Sequence, residues 1–452
     1  MGRIVVIGAG RSGLSAAAYL TKRGRDVVLN ERRAQPDAAT VARLAELNIP
    51  GVWGDHPLAL LDECDEVLLS PGVPPSIPFV QEALARGISV IGELELAHRV
   101  LRERKDGGQL LAITGTNGKS TTTDLTAHLL KAAGLPTVAC GNLGIPLIEA
   151  LEGAVPETRF ALECSSYQLE TVRTFHAEGA VLLNLTPDHL ARHGNMDRYL
   201  DAKLRIFERQ EPGDLRLLPA AEAFRPKVAG QGREAFFGWT DPGVQGAWCD
   251  GKGFLQFRDR EGRSHELIHR TQLRIPGDHN VENALAAAVL AHHGGARIEA
   301  LRAGLSRYPG LAHRIAFCGE RGGVRAFNDS KGTNVDATLT AIRALPGPLV
   351  LLLGGEDKGT SYLPLKEALA GKVRQLVFLG DAIPQLERDL GELPHVSIWA
   401  FDEAVQRAFA TAQAGDQVLL SPACASFDQF KNFEHRGEHF EALAKAWCSG
   451  GN

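Results

Sequence analysis

The chain carries, at residues 113–123, the sequence Ile113-Thr114-Gly115-Thr116-Asn117-Gly118-Lys119-Ser120-Thr121-Thr122-Thr123. A strand-like apolar run precedes this stretch, and a helix-like segment that extends to Lys131 follows it. Backbone N–H groups of a glycine-rich turn and of a helix N-terminus bind phosphate, a lysine adds positive charge and a hydroxyl can ligate Mg²⁺. The spacing departs from G-x-x-x-x-G-K-[ST], because Ile113 stands where the first glycine would be. We predict that this segment binds a nucleoside triphosphate; the alternative is an ordinary strand-to-helix turn.

The bulk properties of the chain are those of an ordinary soluble enzyme with several domains. A chain of 452 residues is too long for one hydrophobic core, so we expect about three domains. The net charge of −5 argues against a nucleic-acid partner, which needs a basic surface. No apolar run approaches the ~20 residues of a membrane span, and no secretory pattern precedes the first strand-like run. The seven cysteines form no C-x-x-C pair, so we expect a cytoplasmic protein, and we expect it to be a monomer.

Short β-branched runs alternate with Ala/Leu-rich helical stretches along most of the chain, which indicates an α/β fold with mainly parallel sheets. We place domain boundaries at 1–97, 98–309 and 310–452. The stretch 213–274 is rich in glycine, charge and aromatic residues without a helical period, and it predicts a small β-rich excursion. The third block has strand-like runs at 349–353, 375–379, 396–399 and 417–420, which predict a further open sheet.

A second glycine-rich turn lies near the N-terminus. The sequence Gly8-Ala9-Gly10-Arg11-Ser12-Gly13 matches G-x-G-x-x-G between a strand and a helix, and Glu31 follows at the end of the next strand. That is the pattern of a dinucleotide site, with the acid on a ribose hydroxyl. However, Asn30-Glu31-Arg32-Arg33 puts both signs of charge at the ribose position. Three interpretations stay open: a nicotinamide dinucleotide, a different nucleotide, which we favour, or a purely structural turn.

Further polar segments follow the phosphate loop in a fixed order. They are Glu163–Glu170, Asn184–Leu190, His279–Ala284, His313-Arg314, Asn328–Asn334 and Ser421–Gly437. This series resembles the Mur ligases of peptidoglycan synthesis over essentially the whole chain. The segment SPACASFDQFKNFEHRG at 421–437 is most similar to that of the members that add D-glutamate.

The resemblance implies three domains: an N-terminal Rossmann-like sheet that binds UDP, a central P-loop-type ATPase sheet and a C-terminal Rossmann-like domain. It also implies an ATP-dependent amide ligase that joins D-glutamate to UDP-N-acetylmuramoyl-L-alanine through an acyl phosphate. In this family the modified phosphate loop explains the missing first glycine.

The resemblance further implies the residues of the ATP and metal sites. ATP contacts fall on Gly115, Thr116, Asn117, Gly118, Lys119, Ser120, Thr121, Asn283, Arg314 and Asp329. Two Mg²⁺ ions would be held by Ser120, Glu163, His189 and Lys203, with Lys203 carbamoylated so that it supplies an anionic oxygen. The residues implied in catalysis are Lys119, His189, Lys203 and Lys331.

Two substrate sites are implied as well. The UDP-muramoyl substrate would contact Arg11, Ser12, Arg32, Ser70, Gly72, Asn142 and Ser165. D-Glutamate would contact Thr333, Lys358, Ser426 and Phe433. Asn30 and Glu31 depart from the Asp-Thr pair that is common in the family, which leaves the uracil and ribose contacts open.

Three rival functions remain at the level of sequence. The first is another ligase of the same superfamily, which adds a different amino acid or adds glutamate to folate. The second is an NAD(P)-dependent oxidoreductase built on the turn at 8–13. The third is a nucleotide-binding regulator that keeps the phosphate loop without the reaction.

Overall fold

The computed structural model describes residues 2–104, 107–221, 229–357 and 359–450. The chain forms two compact units. The first comprises Met1–Gln272 and Val281–Ser306, and the second comprises Leu273–Asn280 and Arg307–Asn452. The first unit contains two sheets and the second unit contains one.

The first sheet has five parallel strands in the order β3-β2-β1-β4-β5. Its strands are β1 (Arg3–Ile7), β2 (Val27–Glu31), β3 (Gly51–Trp53), β4 (Cys64–Leu69) and β5 (Ser89–Ile91). Its helices are α1 (Arg11–Lys22), α2 (Ala38–Glu46), α3 (Pro78–Ala85) and α4 (Glu93–Glu103). The chain winds outward in opposite directions from β1 and β4, so the carboxyl ends of these two strands border the crevice where open α/β sheets bind ligands.

The second sheet has nine strands in the order β14-β13-β12-β11-β10-β9-β6-β8-β7. Its strands are β6 (Gln109–Thr114), β7 (Thr137–Gly141), β8 (Arg159–Glu163), β9 (Gly179–Leu182), β10 (Leu215–Pro219), β11 (Arg233–Gly238), β12 (Gly246–Cys249), β13 (Phe254–Arg258) and β14 (Ser264–His269). The helices that follow these strands are α5 (Lys119–Ala132), α6 (Leu147–Ala150), α7 (Ser166–Leu169), α8 (Leu190–His193), α9 (Met196–Leu204), α10 (Asp278–His293) and α11 (Ile298–Arg307). The stretch 213–274 is β-rich as expected, but its strands extend this sheet, first parallel and then antiparallel from β12 to β14.

The third sheet has six strands in the order β15-β16-β20-β17-β18-β19. Its strands are β15 (Ala316–Arg321), β16 (Val324–Asn328), β17 (Leu349–Gly354), β18 (Val373–Leu379), β19 (His395–Ser397) and β20 (Gln417–Leu420). Its helices are α12 (Val335–Ala344), α13 (Leu365–Leu369), α14 (Ile383–Leu390), α15 (Phe401–Thr411) and α16 (Phe433–Cys448). Every residue of β17 is buried, as expected of a central parallel strand covered on both faces.

The prediction of an α/β fold with three sheets is confirmed. The boundaries at 1–97, 98–309 and 310–452 stay predictions, because the first two sheets belong to one compact unit. Helix α4 shows why they hold together. The carboxylate of Glu95 accepts hydrogen bonds from the backbone N–H groups of Arg173 and Thr174, and Glu93 accepts one from Ile148.

One hydrophobic cluster, which includes Ile4 and Leu110, also runs through both sheets of the first unit. Within the part of the chain that the structure describes, no helix is both long enough and apolar enough to cross a membrane.

Candidate active site

The phosphate loop joins the end of β6, which lies between β9 and β8 in the nine-stranded sheet, to the start of α5. Gly115 has φ +155° and Gly118 has φ +83°, backbone conformations that favour glycine. Gly118 also lies so close to Asn283 that a Cβ atom there would be 2.3 Å from the Asn283 Oδ1 atom. Sequence and structure therefore agree on a glycine-rich turn that leads directly into a helix N-terminus.

Two lysines meet at one carbonyl oxygen of this loop. The Lys119 Nζ atom donates to the carbonyl oxygens of Gly115 (2.9 Å) and Thr116 (2.6 Å), and the Lys203 Nζ atom donates to Gly115 (2.8 Å). Lys203 is only 1% exposed. Burial, together with the charge of Lys119, lowers the pKa of the Lys203 side chain to about 7. The structure thus buries the Lys203 side chain against the phosphate loop.

The segment after β9 clamps the phosphate loop. The Asn184 side chain accepts from the Asn117 backbone N–H (2.9 Å) and donates to the Asn117 carbonyl oxygen (3.1 Å). The Thr116 hydroxyl lies 3.2 Å from the Tyr199 hydroxyl and donates to the Thr186 carbonyl oxygen. Sequence reasoning assigned no role to these three partners of the loop. Asn184 and Thr186 do lie in the polar segment Asn184–Leu190 that the sequence singled out, which follows a strand at the ligand-binding edge of the sheet.

Glu163 ends β8, in register with Ile113, the next-to-last residue of β6. Its side chain is 2% exposed, and its Oε1 atom accepts a hydrogen bond from the Asn142 side chain (2.7 Å). The Oε2 atom is buried and has no hydrogen-bond partner among the described residues. A buried carboxylate oxygen without a partner is costly, and a cation is the natural partner for it. Ser120, in the first turn of α5, is buried as well.

His189 lies in the exposed segment that precedes α8, with φ +54°. Its Nδ1 atom is 3.1 Å from the Tyr167 hydroxyl, and its Nε2 atom is 3.4 Å from the Asp188 carboxylate. Lys203 and His189 border the same aromatic ring: the Lys203 Nζ atom is 4.5 Å and the His189 ring 6.2 Å from the Tyr199 ring centroid. No three His, Cys, Asp or Glu side chains among the described residues form a metal-binding group. The predicted set contains only two such residues, the others being a hydroxyl and an amine.

The N-terminal glycine turn has the expected geometry. Gly8 has φ +98°, and a Cβ atom at Gly13 would lie 2.2 Å from the Gly8 carbonyl oxygen. The buried Ser70 donates from its hydroxyl to the same carbonyl (2.8 Å). Arg11 and Ser12 open α1 at this turn. The turn therefore brings Ser70, Arg11 and Ser12 to the carboxyl ends of β1 and β4.

Glu31 and Asn30 are both engaged within the chain. The Glu31 carboxylate accepts from the backbone N–H groups of Ala9 (2.9 Å) and Arg33 (3.1 Å). Burial raises its pKa, but these N–H groups and the Arg33 charge outweigh burial and lower the pKa below its usual range. The Asn30 amide donates to the carbonyl oxygens of Val52 and Asp55, and its oxygen lies 2.5 Å from the His56 Nδ1 atom. The acid of the dinucleotide pattern thus binds its own glycine turn.

In the second unit, buried polar residues directly follow the carboxyl ends of β16 and β20. Asp329 accepts from the Ser421 hydroxyl (2.7 Å) and from the Ile315 N–H (3.2 Å). Burial raises the pKa of the Asp329 carboxyl to about 7, and the Arg314 charge opposes this shift. The predicted ATP residues therefore divide between the units. The first unit holds residues 115–121 and Asn283, and the second holds Arg314 and Asp329.

Comparison with known proteins decides the family. The model of the Mur ligase middle domain matches residues 113–291, that of the Mur ligase MurD-like N-terminal domain matches 2–92, and that of the Mur ligase glutamate ligase domain matches 313–424. The chain belongs to the Mur ligase family.

Relatives of similar length support this assignment. A protein of Alkaliphilus metalliredigens named UDP-N-acetylmuramoylalanine--D-glutamate ligase is 40% identical over 98% of both chains. A protein of the same name from Myxococcus xanthus is 41% identical over 98% of both chains. Among solved structures, the UDP-N-acetylmuramate-alanine ligase of Thermotoga maritima has a TM-score of 0.57 at 18% identity, with 99% of this chain and 100% of that chain covered. At that identity the structural likeness shows the shared fold alone.

In this Mur ligase, residues of the last predicted site surround the first turn of α16. The Lys331 Nζ atom lies 5.6 Å from the Phe433 ring centroid, and the Ser330 hydroxyl donates to the Phe433 carbonyl oxygen (2.8 Å). Ser426 is buried, and Thr333 follows Lys331 in the same turn. The structure thus brings Lys331, Thr333 and Phe433 into one region. Lys358, the remaining predicted D-glutamate residue, lies outside the described residues.

Arg436 is a residue whose role sequence reasoning missed. It is 1% exposed, and its guanidinium donates to the Ser330 hydroxyl and carbonyl and to the carbonyl oxygens of Cys424 and Ala425. Burial lowers its pKa to about 10. It ties the turn that carries Lys331 to the loop that carries Ser426. Spacing gave a signal, because Arg436, Phe440 and Ala444 recur every four residues on the buried face of α16.

Proposed function

We propose that the chain is an ATP-dependent ligase that joins the carboxylate of UDP-N-acetylmuramoyl-L-alanine to the amine of D-glutamate, in peptidoglycan precursor synthesis. The observation that carries the proposal is the near-full-length likeness, at about 40% identity, to ligases named for this reaction. The phosphate loop supports ATP binding at the central sheet. At the first sheet, the Glu31 carboxylate already accepts a hydrogen bond from the Ala9 N–H, which argues against a nicotinamide dinucleotide there.

The chemistry follows from the substrates. A carboxylate is a poor electrophile, so it attacks the γ-phosphoryl group of ATP, which forms an acyl phosphate and releases ADP. The amine of D-glutamate then attacks the acyl carbon, loses a proton, and displaces inorganic phosphate. No protein nucleophile is required, so the protein acts by positioning and by neutralising charge.

Lys119 would leave the carbonyl oxygens of its own loop and pair with the β- and γ-phosphates, for which a mobile ammonium is suited. Backbone N–H groups of residues 115–118 and the first turn of α5 would hold the remaining phosphate oxygens. Asn283 would contact adenine, Asp329 would contact the ribose, and Arg314 would contact the γ-phosphate.

We propose two Mg²⁺ ions as cofactors, with Ser120, Glu163, His189 and Lys203 as the protein ligands. The buried, unpartnered Glu163 Oε2 atom fits such a cation, since Mg²⁺ prefers oxygen ligands. Held by these residues, Mg²⁺ would supply positive charge that offsets the charge of the phosphoryl group in transfer. Lys203 would join the set as a carbamate, formed when its neutral amine adds to CO₂ and loses a proton. Its nearly complete burial beside the loop supports this role.

For the substrates, we propose that Arg11, Ser12, Arg32, Ser70, Gly72, Asn142 and Ser165 hold the UDP-muramoyl part. We propose that Thr333, Lys358, Ser426 and Phe433 hold D-glutamate, with Lys331 offsetting negative charge. In the described structure Ser165 caps α7, where its hydroxyl accepts from the Gln168 N–H.

We also propose a cytoplasmic monomer without nucleic-acid or membrane partners. The seven cysteines, all of them among the described residues, are free thiols, which is compatible with a reducing compartment.

The test is a phosphate-release assay with ATP, UDP-N-acetylmuramoyl-L-alanine and either D- or L-glutamate. We expect release that needs both substrates and D-glutamate. Release with L-glutamate, with another amino acid, or without the muramoyl substrate would contradict the proposal and favour another ligase of the superfamily.

A further inference from the structure

Trp239 directly follows the last residue of β11. Its indole Nε1 atom donates to the Glu282 carboxylate (2.8 Å), yet the residue remains 39% exposed. The Arg270 guanidinium carbon lies 5.4 Å from the centroid of the indole ring. A large aromatic side chain is thus fixed in orientation by a hydrogen bond while much of its surface stays open to solvent.

Helix α10 connects this tryptophan to the phosphate loop. Glu282, which binds the indole, is followed directly by Asn283. The Asn283 Oδ1 atom accepts a hydrogen bond from the Thr122 hydroxyl in α5 (3.2 Å). It also lies so close to Gly118, the last glycine of the loop, that a Cβ atom there would be 2.3 Å from it. Trp239 and the loop therefore contact neighbouring residues in the first turns of one helix.

A nucleotide whose phosphates occupy the loop must direct its base away from it, over the adjoining surface. Every base has an aromatic face, and stacking on a protein aromatic ring is a common way to hold it. A ring that is already fixed loses little conformational entropy when a base stacks on it. Exposed aromatic surface without such a partner is unfavourable to hydrate.

We propose that the adenine ring of ATP stacks on the exposed part of the Trp239 indole, which makes Trp239 a nucleotide-binding residue. This inference rests on the proposed function, in which the loop binds ATP. Glu282 acts as a positioning residue that holds the indole in place, and Asn283 joins this surface to the loop.

The experiment compares Trp239→Ala, Trp239→Phe and the matched control Trp399→Ala with the wild type in the D-glutamate-dependent assay. Trp399 is also exposed, and its indole Nε1 atom also donates to a carboxylate, that of Asp381 (3.1 Å). We expect Trp239→Ala to raise the KM for ATP about tenfold or more, from loss of one stacked base. The KM values for the two other substrates should stay within about twofold, and Trp239→Phe should recover most of the affinity because a ring remains.

Inorganic tripolyphosphate separates a base contact from damage to the loop, because it carries phosphates without a base. Its inhibition constant should be the same in Trp239→Ala and in the wild type. An unchanged KM for ATP in Trp239→Ala would overturn the inference, and so would an equal loss of tripolyphosphate inhibition. Melting temperatures and the phenylalanine variant show whether the alanine variant is folded. A wild type that releases no phosphate with D-glutamate would instead refute the proposed function.

Discussion

The two glycine turns of the first unit have the same local architecture and different electrostatics. Each follows a buried parallel strand and opens a helix with a glycine at the N-cap, Gly10 for α1 and Gly118 for α5. At the first turn, a carboxylate of the chain, that of Glu31, already occupies a backbone N–H group. At the second turn, the ammonium of Lys119 rests on backbone carbonyl oxygens. A glycine pattern therefore gives the shape of a turn, and the charges around it decide which ligand the turn accepts.

The largest expected effect comes from removing the mobile charge of the second turn. Lys119→Ala should lower kcat/KM by on the order of 10³-fold, since a cation that stabilises transferring phosphoryl charge contributes that much or more. The measurement is the initial rate of phosphate release over a range of ATP concentrations, with the other two substrates saturating. Lys22→Ala is the control, because Lys22 pairs on the surface with Glu152. If Lys119→Ala kept its activity, the Lys119 charge would not be what distinguishes the second turn from the first. If the wild type were inactive, a nucleotide-binding regulator would be favoured.

The next effect tests the buried carboxylate beside the second turn. Glu163→Gln keeps the side-chain shape and an oxygen that can accept from Asn142, but it removes the charge. We expect the Mg²⁺ concentration for half-maximal activity to rise about 10–100-fold, which is the loss of metal affinity that substitutions at metal sites commonly cause. Magnesium titrations of the variant and of Glu152→Gln, an exposed control, measure this. An unchanged magnesium requirement in Glu163→Gln would remove Glu163 from the metal site.

A third test compares the two N-cap glycines directly. Gly118→Ala places a Cβ atom at φ +83° and 2.3 Å from the Asn283 Oδ1 atom, so we expect a loss of about 2 kcal/mol or more in the free energy of unfolding. Gly10 has φ −72° and open space around it, so Gly10→Ala should stay within about 0.5 kcal/mol of the wild type. Chemical denaturation measures both. Equal destabilisation by the two substitutions would mean that the turns differ less in geometry than the structure indicates.

These turns also show how far sequence alone reaches. Both were recognised from glycine spacing after apolar strands, because the conformations of Gly8 and Gly118 are local properties that only glycine adopts easily. The strand-like run 349–353 likewise became β17, since a central parallel strand is apolar throughout. What escaped prediction depends on partners distant in sequence. The burial of Lys203, the clamp by Asn184 and the hydrogen bonds of Arg436 arise only when the chain is folded.

The smallest effect concerns the carboxylate of the first turn. Glu31→Gln removes a charge but leaves an oxygen that can accept from the Ala9 N–H, so we expect less than a threefold change in the KM for the muramoyl substrate. A carboxylate that held a ribose hydroxyl would instead give a rise of about tenfold.

The contribution of the Glu31 charge to the stability of the wild type should depend on pH. The folded pKa of Glu31 is below its ordinary value of 4.5, so its contribution is present above pH 4.5 and is lost as pH falls through the folded pKa. At pH 7 the wild type should have a higher melting temperature than Glu31→Gln, and this difference should vanish in acid. Because the Arg33 partner is largely exposed, the difference at pH 7 should be small. If the difference in melting temperature persisted in acid and the KM for the muramoyl substrate rose strongly, Glu31 would instead be a substrate-binding residue.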